Sequence, residues 1–253
     1  MNARVVAIFN QKGGVGKTTT STNLSHALAK AGKKVTVIDF DPQGHLSVSL
    51  GMLNRQASGI DAVLLDGADV SQCVIPMREN LQLIPSGPKL HDIELMSTGG
   101  AKRSEILRHT LLNDFQDQDY VFIDCPPSSG LLVANVLFAT DEILIPMSSD
   151  FLALQGLSDL IKTIRKFEQV LKKKYKTQIV MARYTSSRKF SKEVLGKLQQ
   201  YFPQQILATV IRETAVLSEC TSFGMTIFEY RPKSVSANDF HNLAKDFLQG
   251  KVM

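Results

Sequence analysis

The chain has 253 residues, 43% apolar and 21% charged, which suits a globular core and excludes collagen-like and low-complexity chains. No apolar run approaches the roughly 18–20 residues of a bilayer-spanning helix, and no signal-peptide pattern opens the chain. Cys73, Cys125 and Cys220 are too few and too scattered for a disulfide framework or a zinc site, a pattern expected in a reducing cytosol.

The net charge of +5 is unevenly placed: residues 1–150 hold 12 basic and 16 acidic side chains, residues 151–253 hold 17 and 8. Such asymmetry fits a polyanionic partner, nucleic acid or an anionic membrane surface; a solvated basic face without a partner is the plain alternative.

Short apolar runs alternate with longer helical stretches. The first run, Val5–Phe9, leads into a glycine-rich loop and then a helix over Thr18–Ala31, with Leu24, Ala27, Leu28 and Ala31 on one stripe and Gly32 as its stop. Further strands are expected at Val35–Phe40, Leu81–Ile84, Tyr120–Cys125, Glu142–Met147, Ile179–Ala182 and Ile206–Ile211. Several are Val/Ile-rich and continuous, as strands buried on both faces are. Gly156–Leu171 reads as an amphipathic helix with Leu157, Leu160, Ile161, Ile164, Phe167 and Leu171 on its apolar face, ahead of the basic cluster Lys172–Lys176. Alternation of strand and helix predicts an α/β fold, a mostly parallel twisted sheet with helices on both faces. No linker, repeat or biased tract interrupts it, so one domain over residues 1–253 is expected.

The chemistry lies in Asn10–Thr19, Asn-Gln-Lys-Gly-Gly-Val-Gly-Lys-Thr-Thr. A glycine-rich turn between strand and helix turns successive backbone N–H groups toward a phosphate chain, and the helix N-terminus adds partial positive charge. Gly13, Gly14, Val15 and Gly16 would form that cradle. Lys17 can reach the β- and γ-phosphates, and Thr18, followed by Thr19, can offer its hydroxyl to Mg²⁺. The general P-loop pattern places Gly where this chain has Gln11. Asp124 ends a buried strand, where a carboxylate is costly unless it serves a ligand; beside a triphosphate it can hold Mg²⁺ through water. Asp39 and Asp41 end the second strand. His26, His45, His91, His109 and His241 are dispersed and form no metal or triad cluster.

The segment from Gln11 to Thr19 resembles the deviant Walker A loop of the ParA/MinD group of P-loop ATPases, with Lys12 as the additional signature lysine and Gln11 a trait of the ParA branch. Val37–Gly44 (Val-Ile-Asp-Phe-Asp-Pro-Gln-Gly) resembles their second strand and switch, and Phe122–Ser128 their Walker B segment. Asp150–Leu157, Leu217–Gly224 and Tyr230–Ser234 resemble later ParA blocks, so the likeness spans nearly the whole chain. It implies ATP and Mg²⁺ as ligands, with Thr18, Asp39 and Asp124 near the metal and Asp41 positioning the attacking water. It also implies that Lys12 reaches the partner's phosphates across an ATP-dependent homodimer. An ATP-bound dimer would bind nonspecific DNA over a bacterial or archaeal nucleoid. A ParB-like or cargo-adaptor partner would stimulate its weak hydrolysis, and a plasmid, chromosome region or protein complex would be the cargo.

The resemblance has departures. Arg212 stands where ParA proteins often carry a proline that holds the adenine, and Val216 where they place a DNA-contacting arginine. Arg183, Arg188, Lys189, Lys192 and Lys197 are alternative cations for duplex phosphates. No helix-turn-helix precedes residue 4, so sequence-specific repression is not expected. A MinD-like membrane regulator is the alternative. Its amphipathic tail would be Asp239–Met253, with Phe240, Leu243, Ala244, Phe247 and Leu248 on one stripe. Only Lys245 and Lys251 supply cations there, offset by Asp239 and Asp246, so a helix packed on the sheet and no stable membrane association are expected. Iron–sulfur or arsenic-pump chemistry would need bridging cysteines that this spacing does not provide.

Overall fold

The Val/Ile-rich runs become strands because both sides of each one meet apolar layers. The structure, a computed structural model, describes residues 3–54, 56–96, 100–150 and 152–253. In chain order the strands are β1 (Arg4–Ile8), β2 (Val35–Asp39), β3 (Ile75–Arg78), β4 (Leu81–Ile84), β5 (Tyr120–Asp124), β6 (Glu142–Met147) and β7 (Lys176–Met181). The helices are α1 (Lys17–Lys30), α2 (His45–Ser49), α3 (Ile60–Asp66), α4 (Leu90–Leu95), α5 (Gly100–Asn113) and α6 (Leu131–Ala139). They continue with α7 (Leu152–Leu171), α8 (Lys189–Tyr201), α9 (Ala215–Ser222), α10 (Ile227–Tyr230) and α11 (Val235–Gln249).

The sheet order is β3-β4-β2-β5-β1-β6-β7. All neighbours are parallel except β3, which runs antiparallel on β4. Successive side chains divide between two cores. Val6 and Ile8 of β1 and Phe122 of β5 join α1, α2, α9, α10 and α11 on one face. Ala7 of β1 and Val121 and Ile123 of β5 join the α3–α8 side. The chain leaves β1 toward β2 on one side, and β6 lies on the other. A crevice therefore opens at the carboxyl ends of β1, β2 and β5, where open α/β sheets bind ligands.

Three expectations change. The hairpin β3–β4 was not read from the sequence: Pro76 removes an amide donor and is tolerated because β3 is an edge strand. Asn80 in left-handed backbone (φ 57°) makes the tight return. Ile206–Ile211 is not a strand of the sheet. Leu207 N–H donates to Ile179 O (2.9 Å) and Ile211 N–H to Met181 O (2.7 Å), but Ala208 N–H turns to Lys251 O (3.2 Å), so no continuous ladder forms. In α1, Leu24, Ala27 and Leu28 are buried while Ala31 is the exposed C-terminal cap, before Gly32 at φ 82°.

The C-terminal helix buries Phe240, Leu243, Ala244 and Phe247 on the sheet, with the Phe247 ring 5.8 Å from those of Tyr120 and Phe122. The stripe a membrane would need is already covered; Leu248 alone of the five is left at the surface, 36% exposed. In α7, Leu157, Leu160 and Ile164 are buried and Ile161 and Phe167 pack beside them.

Candidate functional site

The loop between β1 and α1 is pinned at its root. Asn10 donates from Nδ2 to Pro146 O (2.8 Å) and accepts from Lys12 N–H through Oδ1 (3.0 Å), fixing the exit from β1. Gly14 and Gly16 have φ of 72° and 91°, left-handed backbone that side-chain-bearing residues resist. Gly16 is the N-terminal cap of α1, so Lys17, Thr18 and Thr19 occupy its first turn. Lys17 is 7% exposed and its Nζ donates to Lys12 O (3.1 Å). Burial lowers its pKa, opposed by Asp124, Cys125 and Asp41. Val15 is buried beneath the loop, while Gly13 and Gly14 face outward. The Gln11 side chain leaves the cradle, its Nε2 donating to Thr163 Oγ1 of α7 (3.3 Å).

Strand register brings the acidic residues to this loop. Asp124 is opposite Ile8 of β1 on one side and Asp39 of β2 on the other. Its carboxylate accepts from Thr18 Oγ1 (2.8 Å) and Ser21 Oγ (2.6 Å). Burial pushes its pKa up to about 6 against those hydroxyls and Lys17. Asp39 is wholly buried and pushed up to about 7, first by burial and then by Asp124. Its Oδ2 accepts from Ser47 N–H (2.9 Å) and Ser47 Oγ (2.7 Å), and its Oδ1 from Asp41 N–H (3.3 Å). In this arrangement Asp39 ties α2 and the Asp41 turn to the sheet. Asp41 caps the next turn through Gln43 N–H (2.9 Å) and lines the cavity. Thr18, Asp41 and Asp124 are hard oxygen donors of the kind Mg²⁺ takes.

The cavity measures about 720 Å³ and runs from the loop to the segment 211–221. Arg183 and Glu213 lie on it, which the sequence did not indicate for either residue. Arg212 also lines it, but its Nε donates to Asp239 of α11 (3.0 Å) and its backbone N–H to the same carboxylate (3.1 Å). Val216 packs against the α1-side core.

Lys12 stands at the outer rim, its Nζ donating to Asp150 Oδ1 (2.5 Å); Asp150 also accepts from Ser148 Oγ (2.7 Å). Phe151, within the block Asp150–Leu157, lies outside the described residues. Of the cations considered for duplex phosphates, Arg188, Lys189, Lys192 and Lys197 are exposed on or just before α8. Arg183 is separated from them: its Nη1 donates to Gly14 O (2.8 Å), and its Nε (2.9 Å) and Nη2 (2.6 Å) to Glu213 Oε1. Ser21 is the partner of Asp124 that the sequence reading missed. Its signal was available, three residues after Thr18 on the same face of α1. The three cysteines are buried singly, Cys125 with its thiol pKa pushed well up by burial.

Residues 3–177 match the family described as AAA domain. The sporulation initiation inhibitor protein Soj of Bacillus subtilis is 37% identical over 246 residues, covering 96% of this chain and 97% of that protein. The chromosome partitioning protein ParA of Myxococcus xanthus is 35% identical over 249 residues, 97% of this chain and 88% of that one. Among solved structures, cobyrinic acid a,c-diamide synthase from Mycobacterium smegmatis with bound ADP and magnesium has a TM-score of 0.82 at 30% identity, covering 98% of this chain and 94% of that chain. The phosphate-loop geometry, the paired carboxylates and this near-full-length likeness have one common source: the chain belongs to the Soj/ParA family of P-loop ATPases.

Proposed function

We propose that residues 1–253 act as one unit, an ATP-dependent dimerising ATPase that holds nonspecific DNA in its ATP state and positions a cargo over the nucleoid. A cargo-bound, ParB-like partner stimulates hydrolysis. The observation that carries the reading is the division of labour between two lysines. Lys17 is buried inside the cradle and serves the phosphates of its own site. Lys12 is turned outward at the rim, its side chain one-third exposed (33%), where a second subunit can be met. A charge delivered across the interface stabilises the transferring phosphoryl group, as an arginine finger does. Nucleotide state then sets dimer state through differential binding.

Within the site, the loop amides of residues 13–19 would bind phosphate, and Thr18 and Asp124 would hold Mg²⁺, Asp124 through water. The metal supplies neutralisation of charge on the β- and γ-phosphate oxygens. Asp41 would orient the attacking water, and Asp39, whose carboxylate accepts from Ser47 and from Asp41 N–H, would keep the Asp41 turn in register. Arg212, engaged by Asp239, offers the base its aliphatic stem rather than a free guanidinium. The exposed run Arg188, Lys189, Lys192 and Lys197 is the face for duplex phosphates, with affinity that falls as salt rises.

The test is binding to random-sequence duplex DNA with ATP, ADP or no nucleotide at two salt concentrations, alongside an Asp41→Ala variant that blocks hydrolysis. Binding only with ATP, stronger for the variant and weaker in salt, is the expected result. Binding in no state would remove the DNA step and leave an ATPase that works on a protein scaffold.

A further inference from the structure

Arg183 is an unusual residue for its position. Its backbone is left-handed (φ 51°), a conformation rare outside glycine and asparagine. The chain is pinned on both sides of it: Ala182 N–H donates to Met147 O (2.7 Å), Tyr184 N–H to Ile211 O (2.9 Å), and Glu213 N–H back to Tyr184 O (3.0 Å). Strain held by its surroundings in this way clusters at functional sites. The side chain then crosses the cavity mouth to Gly14 O, with Glu213 holding the other edge of the guanidinium.

Stability does not account for the arrangement. The Arg183 and Glu213 side chains are 54% and 35% exposed, and ion pairs with that much solvent contribute little, less than left-handed backbone costs. The contact with Gly14 is more telling. A phosphate loop works by aiming N–H groups inward, and a donor that holds a loop carbonyl from outside keeps its peptide in a fixed orientation. Arg183 provides that donor through a charge-assisted hydrogen bond and fixes the orientation of the peptide that carries the Gly14 carbonyl, while Glu213 balances its charge.

We propose that Arg183, set by Glu213, is a positioning residue for nucleotide binding that holds the crest of the phosphate loop through Gly14. The proposal rests on the nucleotide site described above and assigns Arg183 to that site rather than to the DNA-binding face. The decisive variant is Arg183→Gly, which removes the guanidinium and at the same time relieves the backbone strain. Its melting temperature should equal or exceed that of the wild type, while affinity for a fluorescent ATP analogue and for ADP falls about ten-fold, the worth of one charge-assisted hydrogen bond. KM should rise with kcat nearly unchanged, and Arg183→Lys should recover part of the loss. Glu213→Ala, which frees the guanidinium, should show a smaller loss in the same direction. Lys17→Ala is the control for the site itself; if the wild type fails to bind nucleotide, the nucleotide site is wrong, not merely the role of Arg183. Wild-type nucleotide affinity in Arg183→Gly would overturn the proposal, and so would a loss of affinity that only accompanies a lowered melting temperature.

Discussion

A charged Asp124 costs the fold stability, and the size of that cost follows from its surroundings. Burial lifts its pKa from 3.8 to about 6 in the folded chain. A carboxyl whose folded pKa is raised binds its proton more tightly folded than unfolded, so its charge opposes folding. The penalty is absent below the unfolded pKa and complete above the folded one, about 3 kcal/mol near neutral pH. Asp124→Asn removes the charge at constant shape. It sacrifices one acceptor for Thr18 or Ser21, worth about 1 kcal/mol. The variant without nucleotide should therefore be about 2 kcal/mol more stable near pH 7.5, a rise of roughly 4–8 °C in melting temperature for a chain of this size. Near pH 4.5 the wild-type penalty shrinks to about 1 kcal/mol, which the lost acceptor cancels, so the two curves should meet. Thermal denaturation followed by circular dichroism at both pH values makes the comparison. Addition of ATP and Mg²⁺ should stabilise the wild type more than the variant, which keeps the loop amides, Lys17 and Thr18 but loses one carboxylate at the metal. An equal difference at the two pH values, or no gain at neutral pH, would refute the assignment of the penalty to Asp124.

Three other substitutions separate packing from chemistry. Gly224→Ala places a Cβ 2.6 Å from Gly51 Cα at φ 62°, so α2 and α9 must part; urea denaturation should show a loss of about 2 kcal/mol or more. Glu94→Ala removes the acceptor for Ser128 Oγ (3.1 Å) and for Leu131 N–H (3.0 Å) at the start of α6. The N-terminal cap of α6 is Gly130, which offers no side-chain acceptor of its own, and the expected cost is about 1–2 kcal/mol by the same assay. Lys12→Ala should change stability by less than about 1 kcal/mol, because its pair with Asp150 is solvent-exposed. Phosphate release stimulated by DNA and partner should fall by about 10³-fold if Lys12 acts as a charge supplied in trans.

The parallel part of the fold was legible because each of its strands is buried on both faces and therefore reads as a continuous apolar run. Val35–Asp39, Tyr120–Asp124 and Glu142–Met147 are recovered within a residue at each end. The edge gives the opposite result for the same reason. Ile75–Arg78 has one neighbour and tolerates Pro76, so it carries no burial signal. Ile206–Ile211 carries the signal and yet forms no ladder, because its apolar side chains are buried while its amides are shared between β7 and the C-terminal tail. Hydrophobicity reports burial, and burial coincides with strand pairing only in the middle of a sheet.

The site divides along a similar line. Gly13 to Thr19 could be read because the cradle is made by consecutive residues whose backbone conformation is dictated by glycine itself. Asp124 and Asp39 could be read because a charge at the end of an apolar strand is anomalous wherever it lands. Arg183 could not: it is one basic residue in a basic half of the chain, and its contact is with Gly14, 169 positions away. Its grouping with Arg188 and Lys189 followed from proximity in sequence, but β7 ends at Met181, and the residues just past a strand end face the crevice while those of the next helix face outward. Arg183 and Arg188, five positions apart, thus lie on different surfaces, one at the phosphate loop and one exposed at the start of α8. What decides between them is where the chain leaves the sheet, a property of the fold that the side chain's own chemistry does not carry.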